Sequence, residues 1–158
     1  MKILGIDPGT ATTGFGVVSK EKGKLGMLDY GVISTPKDLP MSNRLLMLFD
    51  DIEELIAKHQ PEVIAVEQLF FARNVTTALT VGQARGVVLL AAQKADLKLI
   101  EFTPLQVKMS VTGYGQATKN QVQQMVQKIL KLDSLPKPDD AADALAIAIC
   151  ASSQSKVI

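Results

Sequence analysis

Apolar residues are arranged in two ways along the chain: in short continuous runs, which predict strands, and at helical spacing, which predicts helices. Short apolar runs bounded by Gly, Pro or charged residues are typical of strands, and those rich in Val and Ile favour buried ones. Such runs predict strands over residues 2–6, 15–20, 25–35, 63–67 and 97–102. A turn at Lys22-Gly23-Lys24 joins the second and third, so the chain begins with a three-strand meander.

Apolar residues recur at helical spacing between and after these strands. The spacing predicts long helices over 42–59 and 74–95. Thr103-Pro104 begins a short helix that ends near Gly113, since Pro is favoured in a first helical turn. A capping box that starts at Thr118 begins the next helix, and the last helix begins near Asp139.

The order of these elements predicts the fold class. Three strands, a helix, a strand, a helix, a strand and then further helices are typical of a ribonuclease H-like α/β fold. We therefore expect a mixed five-stranded sheet flanked by helices. At 158 residues, without an internal repeat or an interdomain linker, the chain is expected to form a single domain over 1–158.

Composition narrows the class of protein. The sequence has neither a run of about 18 apolar residues nor a signal-peptide pattern, which predicts a cytoplasmic protein without membrane contact. The single Cys150 excludes an intramolecular disulfide and is expected in the core. His59 lies near a helix end without a second His or Cys, so we expect it to interact with the helix dipole rather than a metal.

Charge is segregated along the chain although the net charge is only +1. Acidic residues dominate from 38 to 67, whereas 68–132 holds only two acids. The basic residues of this second stretch are Arg73, Arg85, Lys94, Lys98, Lys108, Lys119, Lys128 and Lys131. About half of them are expected to lie on ordinary solvated helix faces. The asymmetry predicts one phosphate-facing side of the protein.

Four carboxylates each lie at the end of an apolar element. Asp7 and Glu67 follow buried strands, and Asp140 and Asp143 lie three residues apart, on one face of the last helix. Carboxylates at the edge of a core are costly without positive charge, and no basic residue adjoins any of the four in sequence. Carboxylate oxygens suit a hard cation such as Mg²⁺, so the pattern predicts a metal site where the four converge.

Each acid also has a structural interpretation. Asp7 precedes Pro8-Gly9 and resembles a turn former, and Glu67 could be an edge carboxylate. Acids at the start of the last helix favour its dipole, which is the role expected of Asp139. Asp143 is harder to explain in this way, because Ala, Leu and Ile surround it in the sequence.

Several motifs together resemble the RuvC-type Holliday junction resolvases, the bacterial crossover junction endodeoxyribonucleases, over essentially the full chain. The matching segments are Gly5-Ile6-Asp7-Pro8-Gly9, Glu67-Gln68-Leu69-Phe70, Gly82-Gln83-Ala84-Arg85-Gly86, Thr103-Pro104 through Lys108, and Asp140-Ala141-Ala142-Asp143-Ala144-Leu145-Ala146. The resemblance implies a metal-dependent endonuclease that resolves four-way DNA junctions in recombination and repair.

The resemblance also assigns roles. It makes Asp7, Glu67, Asp140 and Asp143 metal-binding catalytic acids, although some members carry His at the position of Asp140. It places Lys119 near the scissile phosphate. Among the residues expected to contact DNA are Phe70, Arg73, Lys108 and Lys119.

Two of these assignments have independent support in the sequence. A lysine in a first helical turn opposes the helix dipole, so the position of Lys119 favours an anion-binding role. Phe70 is either a core residue or an aromatic that stacks on a base. Since Phe70 and Phe71 are adjacent and cannot point the same way in an extended segment, one of the two is expected to be exposed.

The expected mechanism uses two metal ions. Mg²⁺ is the expected cofactor and Mn²⁺ can substitute; two ions held by the four carboxylates would activate water and stabilise the leaving oxygen. The products expected from the family are 5′-phosphate and 3′-hydroxyl ends.

Paired nicks across a junction require a two-fold dimer. The helix over 74–95 is the candidate interface, since Gly82 and Gly86 permit close approach; burial of this helix within the monomer is the alternative. Partners would be the four-way junction, a second copy of the chain and a branch-migration motor.

Other functions stay open at this point. Asp7-Pro8-Gly9-Thr10 also resembles the phosphate loop of the actin and hexokinase ATPases, but 158 residues leave no room for their second domain. A related nuclease acting on structured RNA and a non-catalytic junction-binding module are the nearer alternatives.

Overall fold

The computed structural model describes residues 1–9, 11–68 and 75–154, and within them a five-stranded mixed sheet forms the centre of the molecule. The strands are β1 (Lys2–Asp7), β2 (Thr12–Glu21), β3 (Lys24–Ser34), β4 (Val63–Glu67) and β5 (Lys98–Phe102). Their order across the sheet is β3-β2-β1-β4-β5. β1 to β3 form the antiparallel meander, and β4 and β5 run parallel to β1. The predicted mixed sheet is therefore confirmed.

Helices cover both faces of the sheet. They are α1 (Met41–His59), α2 (Val75–Lys94), α3 (Pro104–Thr112), α4 (Lys119–Leu130) and α5 (Asp139–Ser153). α3 and α4 both begin with capping boxes, at Thr103 and Thr118, and α3 ends at Gly113 in a left-handed conformation. The caps satisfy backbone donors that a helix start leaves unpaired.

Alternation along β1 and β4 divides the core into two clusters. Leu4, Ile6, Ile64 and Val66 pack against α1 and α2. On the opposite face, Ile3, Val63 and Ala65 belong to the cluster formed with α3, α4 and α5. Because side chains alternate between faces along a strand, Asp7 and Glu67 continue the α5 side.

Small residues let α5 lie unusually close to β1 and β2. A Cβ atom at Gly14 would lie 1.9 Å from the carbonyl oxygen of Asp140, and one at Gly5 would lie 2.2 Å from that of Ala144. No larger residue fits these positions without moving the helix. The absence of side chains at Gly5 and Gly14 therefore sets how near the acids of α5 come to the end of β1.

Several smaller expectations have clear outcomes. β2 begins three residues earlier than the predicted strand over 15–20, since its pairing with β1 and β3 continues through Thr12 to Gly14. Cys150 is buried as expected. The ring Nε2 of His59 lies 2.8 Å from Asp29, so this histidine pairs with a carboxylate of β3 as well as lying at a helix end.

Among the described residues, α2 is the helix that length and composition would allow to cross a membrane. This is a weak criterion, because core helices of other proteins meet it too. α2 packs Ala84, Val88, Ala91 and Ala92 into the cluster on its side of the sheet.

Candidate active site

Asp7 and Glu67 lie side by side at one edge of the sheet. β1 and β4 are parallel neighbours, and Ile6 pairs with Val66, so the next residue of each strand is an acid. The carboxyl ends of parallel strands meet at the same edge, which is where open α/β sheets commonly place their sites. Strand register thus brings together two acids that are 60 residues apart in sequence.

α5 adds two more carboxylates above this edge. Asp140 and Asp143 lie one turn apart near the start of α5. This turn packs over Gly14 of β2, and Gly14 is paired with Asp7 of β1. Carboxylate oxygens of Asp7, Asp140 and Asp143 all lie within 4.8 Å of one another. Three of the four predicted acids therefore converge on one point.

Glu67 lies beside this group rather than within it. It lines a cavity of about 240 Å³ together with Asp143, Lys108 and Lys119. Burial, followed by repulsion from Asp143, raises its pKa. The carboxylate of Glu67 thus faces the same site from the side of β4.

The carboxyl of Asp7 lies in surroundings that disfavour its negative charge. Burial, followed by repulsion from Asp143, Glu67 and Asp140, raises the pKa of Asp7 from 3.8 to about 7. A buried carboxyl among like charges favours its neutral form. The donor set is all carboxylate, the kind that hard divalent cations prefer, so these residues fit a metal ion.

Lys119, which the resemblance placed near the scissile phosphate, partly compensates this charge. Its Nζ lies 3.3 Å from Oδ2 of Asp143, although no basic residue adjoins any of the four acids along the chain. Burial, together with repulsion from Asp140 and Asp139, raises the pKa of Asp143 despite the opposing effect of Lys119. The pKa of Lys119 is raised, because attraction to Asp143 and Asp139 exceeds the lowering effect of burial.

Asp139 and Gln123 form a further part of the site that sequence reasoning missed. Asp139 lies in the first turn of α5, where its charge favours the helix dipole as expected, but its side chain also has partners on α4. Oδ1 accepts a hydrogen bond of 2.9 Å from Nε2 of Gln123, and Oδ2 lies 3.6 Å from Nζ of Lys119. One feature of the sequence indicates this arrangement: Lys119 and Gln123 are four residues apart, which places both on one face of a helix.

Comparison with known proteins identifies the family. The model of the family "Crossover junction endodeoxyribonuclease RuvC" matches residues 3–151. The chain is 57% identical to the protein of that name from Ruminiclostridium cellulolyticum, over 95% of this chain and 90% of the relative. It is 59% identical to the one from Desulfitobacterium hafniense, over 95% and 91%.

The chain belongs to the RuvC family. Its members are named endonucleases that act on DNA, as the motifs predicted. Among solved structures it resembles Thermus thermophilus RuvC in complex with a Holliday junction substrate, with a TM-score of 0.91 and 38% identity over 96% of this chain and 93% of that one. This match confirms the predicted ribonuclease H-like fold.

Part of the predicted RuvC site lies outside the described residues. Phe70 and Arg73, predicted to contact DNA, fall there together with Phe71, so the choice between Phe70 and Phe71 stays a prediction. Lys108 is described and lines the same cavity as Glu67 and Lys119. The two predicted DNA-contacting lysines therefore lie at the acidic site itself.

Proposed function

We propose that this chain is a metal-dependent endonuclease that resolves four-way DNA junctions by paired, symmetric nicks. The observation that carries the proposal is the convergence of Asp7, Asp140 and Asp143 beside Glu67 and Lys119. It occurs in a chain 38% identical to a RuvC whose structure was solved with a Holliday junction substrate.

The four carboxylates would hold the cofactor, for which we propose Mg²⁺, two ions per site, with Mn²⁺ able to substitute. Bound divalent ions supply an activated water and charge stabilisation at the phosphate. Asp7 and Glu67 fix the site to the sheet, and Asp140 and Asp143 hold it from α5. We propose products with 5′-phosphate and 3′-hydroxyl ends.

Lys108 and Lys119 would attract the phosphate into the same cavity that Glu67 and Asp143 line. Both line it, and Lys119 also lies in the first turn of α4, where the positive end of the helix dipole favours an anion. A cation beside the scissile phosphate stabilises charge that develops during cleavage. We propose that Phe70 and Arg73, which follow β4 in the sequence, add DNA contacts.

A comparison of substrates tests the function. The purified protein is incubated with Mg²⁺ and a four-way DNA junction, a duplex of the same sequence, or a structured RNA. We expect rapid cleavage of the junction alone. Equal cleavage of RNA would favour an RNA nuclease, and junction binding without cleavage would favour a non-catalytic module.

Substitution of the two lysines should separate phosphate contact from cleavage. Each neutralised phosphate contributes about −0.9 to the slope of log K against log salt. Lys119→Ala should therefore flatten that slope by about one unit, and it should also slow single-turnover cleavage at saturating protein. Lys108→Ala should flatten the slope similarly with a smaller effect on the cleavage step. If Lys119→Ala matched wild type in both measurements, this lysine would not contact the phosphate.

We propose a homodimer through α2. This helix buries one face against the sheet but leaves Leu79 and Leu90 about 60% exposed on another, on the same side as the exposed Gly86. The helix is therefore not wholly buried within the monomer. A glycine in such a stripe permits close packing of a second helix, and Gly82 is the other position proposed for close approach.

Leu79→Glu should shift the protein from dimer to monomer in sedimentation at micromolar concentration, because a charge at a packed apolar interface is costly. Gly82→Leu should shift it in the same direction or unfold it. Leu46→Glu is the matched control, since Leu46 is exposed to the same degree on α1. A wild-type monomer at this concentration, or a dimer unaffected by Leu79→Glu, would contradict the proposed interface.

We also propose that residues 1–158 act as a single nuclease domain in the cytoplasm. Recruitment of a branch-migration motor is a further proposal, tested by co-sedimentation of the motor with junction-bound protein.

A further inference from the structure

Asp139 lies between a buried amide and the lysine of the site, and each of its oxygens faces a different partner. Gln123, only 9% exposed, donates from Nε2 to Oδ1 of Asp139 at 2.9 Å. The second oxygen, Oδ2, lies 3.6 Å from Nζ of Lys119. A buried donor thus fixes the orientation of a carboxylate that is itself 64% exposed.

The ion pair between Asp139 and Lys119 is too exposed to matter much for stability. Both side chains are more than half exposed, and pairs of this kind contribute little to folding. The arrangement does restrict where the ammonium can go, because Lys119 lies between Oδ2 of Asp139 and Oδ2 of Asp143. Asp143 belongs to the metal-ligating group, whereas Asp139 lies outside that group.

We propose that Asp139, oriented by Gln123, is a positioning residue that holds Lys119 at the rim of the acidic cluster, where it can reach the scissile phosphate. Without this second anchor, the ammonium would be drawn toward Asp143 and Asp7 alone. The inference rests on the proposed function, since it assigns Lys119 a role in the cleavage step.

The directions in which cleavage rate and junction binding change on removal of Asp139 distinguish a positioning role from a purely electrostatic one. If Asp139 acted only as an exposed acid near DNA, its removal would reduce repulsion, tighten junction binding and leave cleavage unchanged or faster. If it positions Lys119, its removal slows cleavage even though binding is retained. A structural role would instead weaken binding and cleavage together.

The test measures two quantities for each variant: the single-turnover cleavage rate at saturating protein with Mg²⁺, and the junction dissociation constant in chelator without metal. Asp139→Asn retains an oxygen for Gln123 but loses the charge that faces Lys119. We expect it to cleave roughly tenfold more slowly, as small misplacements of a catalytic group do, while its metal-free binding is unchanged or tighter. Asp139→Glu, which keeps the charge, should retain more of the rate.

Two further variants test whether Asp139 is oriented by Gln123 and acts through Lys119. Gln123→Met changes no charge, yet it should slow cleavage in the same direction, and its effect should not add to that of Asp139→Asn, because both act on one contact. In a Lys119→Ala background, Asp139→Asn should have no further effect. Asp133→Asn is the control, since Asp133 is an exposed acid in the loop before α5, and it should cleave like wild type.

The outcomes are distinct. Suppose that the wild-type protein cleaves the junction. If Asp139→Asn then cleaves at the wild-type rate, or slows cleavage equally whether residue 119 is Lys or Ala, the positioning role is wrong. The proposed function would still stand. Failure of wild type to cleave the junction would overturn both.

Discussion

Asp7→Asn, Glu67→Gln and Asp143→Asn should each lower the rate of junction cleavage by on the order of 10² to 10³-fold or more, while junction binding is largely retained. Asp7 and Asp143 belong to the carboxylate cluster, and Glu67 and Asp143 line the cavity, so loss of any of these charges would weaken the hold on the proposed cation. Each replacement is nearly isosteric, which leaves packing intact. The measurement is single-turnover cleavage of a synthetic junction, with binding measured in parallel.

Asp140 should be more tolerant of substitution. The resemblance to the family implies that His can replace the acid at this position, so we expect Asp140→His to retain more activity than Asp140→Asn. Asp38→Asn, a change at an exposed acid in the loop before α1, controls for loss of one negative charge. Near wild-type cleavage by the Asp7, Glu67 or Asp143 variant would show that the residue is not a metal ligand.

Metal-free protein should lose stability as pH rises from about 5 to about 7. In the folded protein Asp7 has a pKa of about 7 against 3.8 for an ordinary carboxyl. Between these values the folded state holds a proton that the unfolded state has released, so stability falls with rising pH. One pKa unit corresponds to about 1.4 kcal/mol, which makes the loss on the order of a few kcal/mol. Above about pH 7 the loss from this group is complete.

The contribution of Asp29 has the opposite sign but does not overlap this window. Bonds from Lys58 and His59 outweigh burial and lower the pKa of Asp29, so its stabilising effect is already complete at about pH 5. The melting temperature, measured in chelator, should therefore fall across the window. Saturating Mg²⁺ should raise it most at the upper end, because the cation replaces the missing proton.

Asp7→Asn provides the matched variant, since it removes the ionisable group that causes the effect. Its metal-free melting temperature should be higher than that of wild type at the upper end of the window, and should vary less with pH. The same substitution should therefore lower activity strongly and stabilise the metal-free fold. A wild-type melting temperature that rises with pH in chelator would contradict the electrostatic description of the site.

The strand pattern of the sequence was sufficient to predict much of this site. Asp7 and Glu67 end two apolar runs, and a parallel pairing of those runs necessarily brings the acids to one edge. Helical spacing likewise placed Asp140 and Asp143 on one face of α5. These are local regularities, and local regularities survive into the folded structure when one face of each element is buried.

The contacts between elements could not be read in the same way. How closely α5 approaches the sheet depends on Gly5 and Gly14, which carry no hydrophobic signal in the sequence. The neighbour of Asp143 proved to be Lys119, which lies in a different helix and 24 positions earlier in the chain. For the same reason Asp139 was interpreted as a helix-start residue, when its partners are on α4.

The most direct test of the whole account uses a supercoiled plasmid that extrudes a cruciform, which is a four-way junction held in a closed circle. Two nicks made by one dimer before it dissociates convert the circle to a linear molecule, whereas unpaired nicking yields a relaxed circle. With Mg²⁺ we expect wild-type protein to give linear product only from the plasmid that carries the cruciform, and Asp7→Asn to give none. Linear product without a cruciform, or a relaxed circle as the main product, would contradict paired cleavage of a four-way junction by this site.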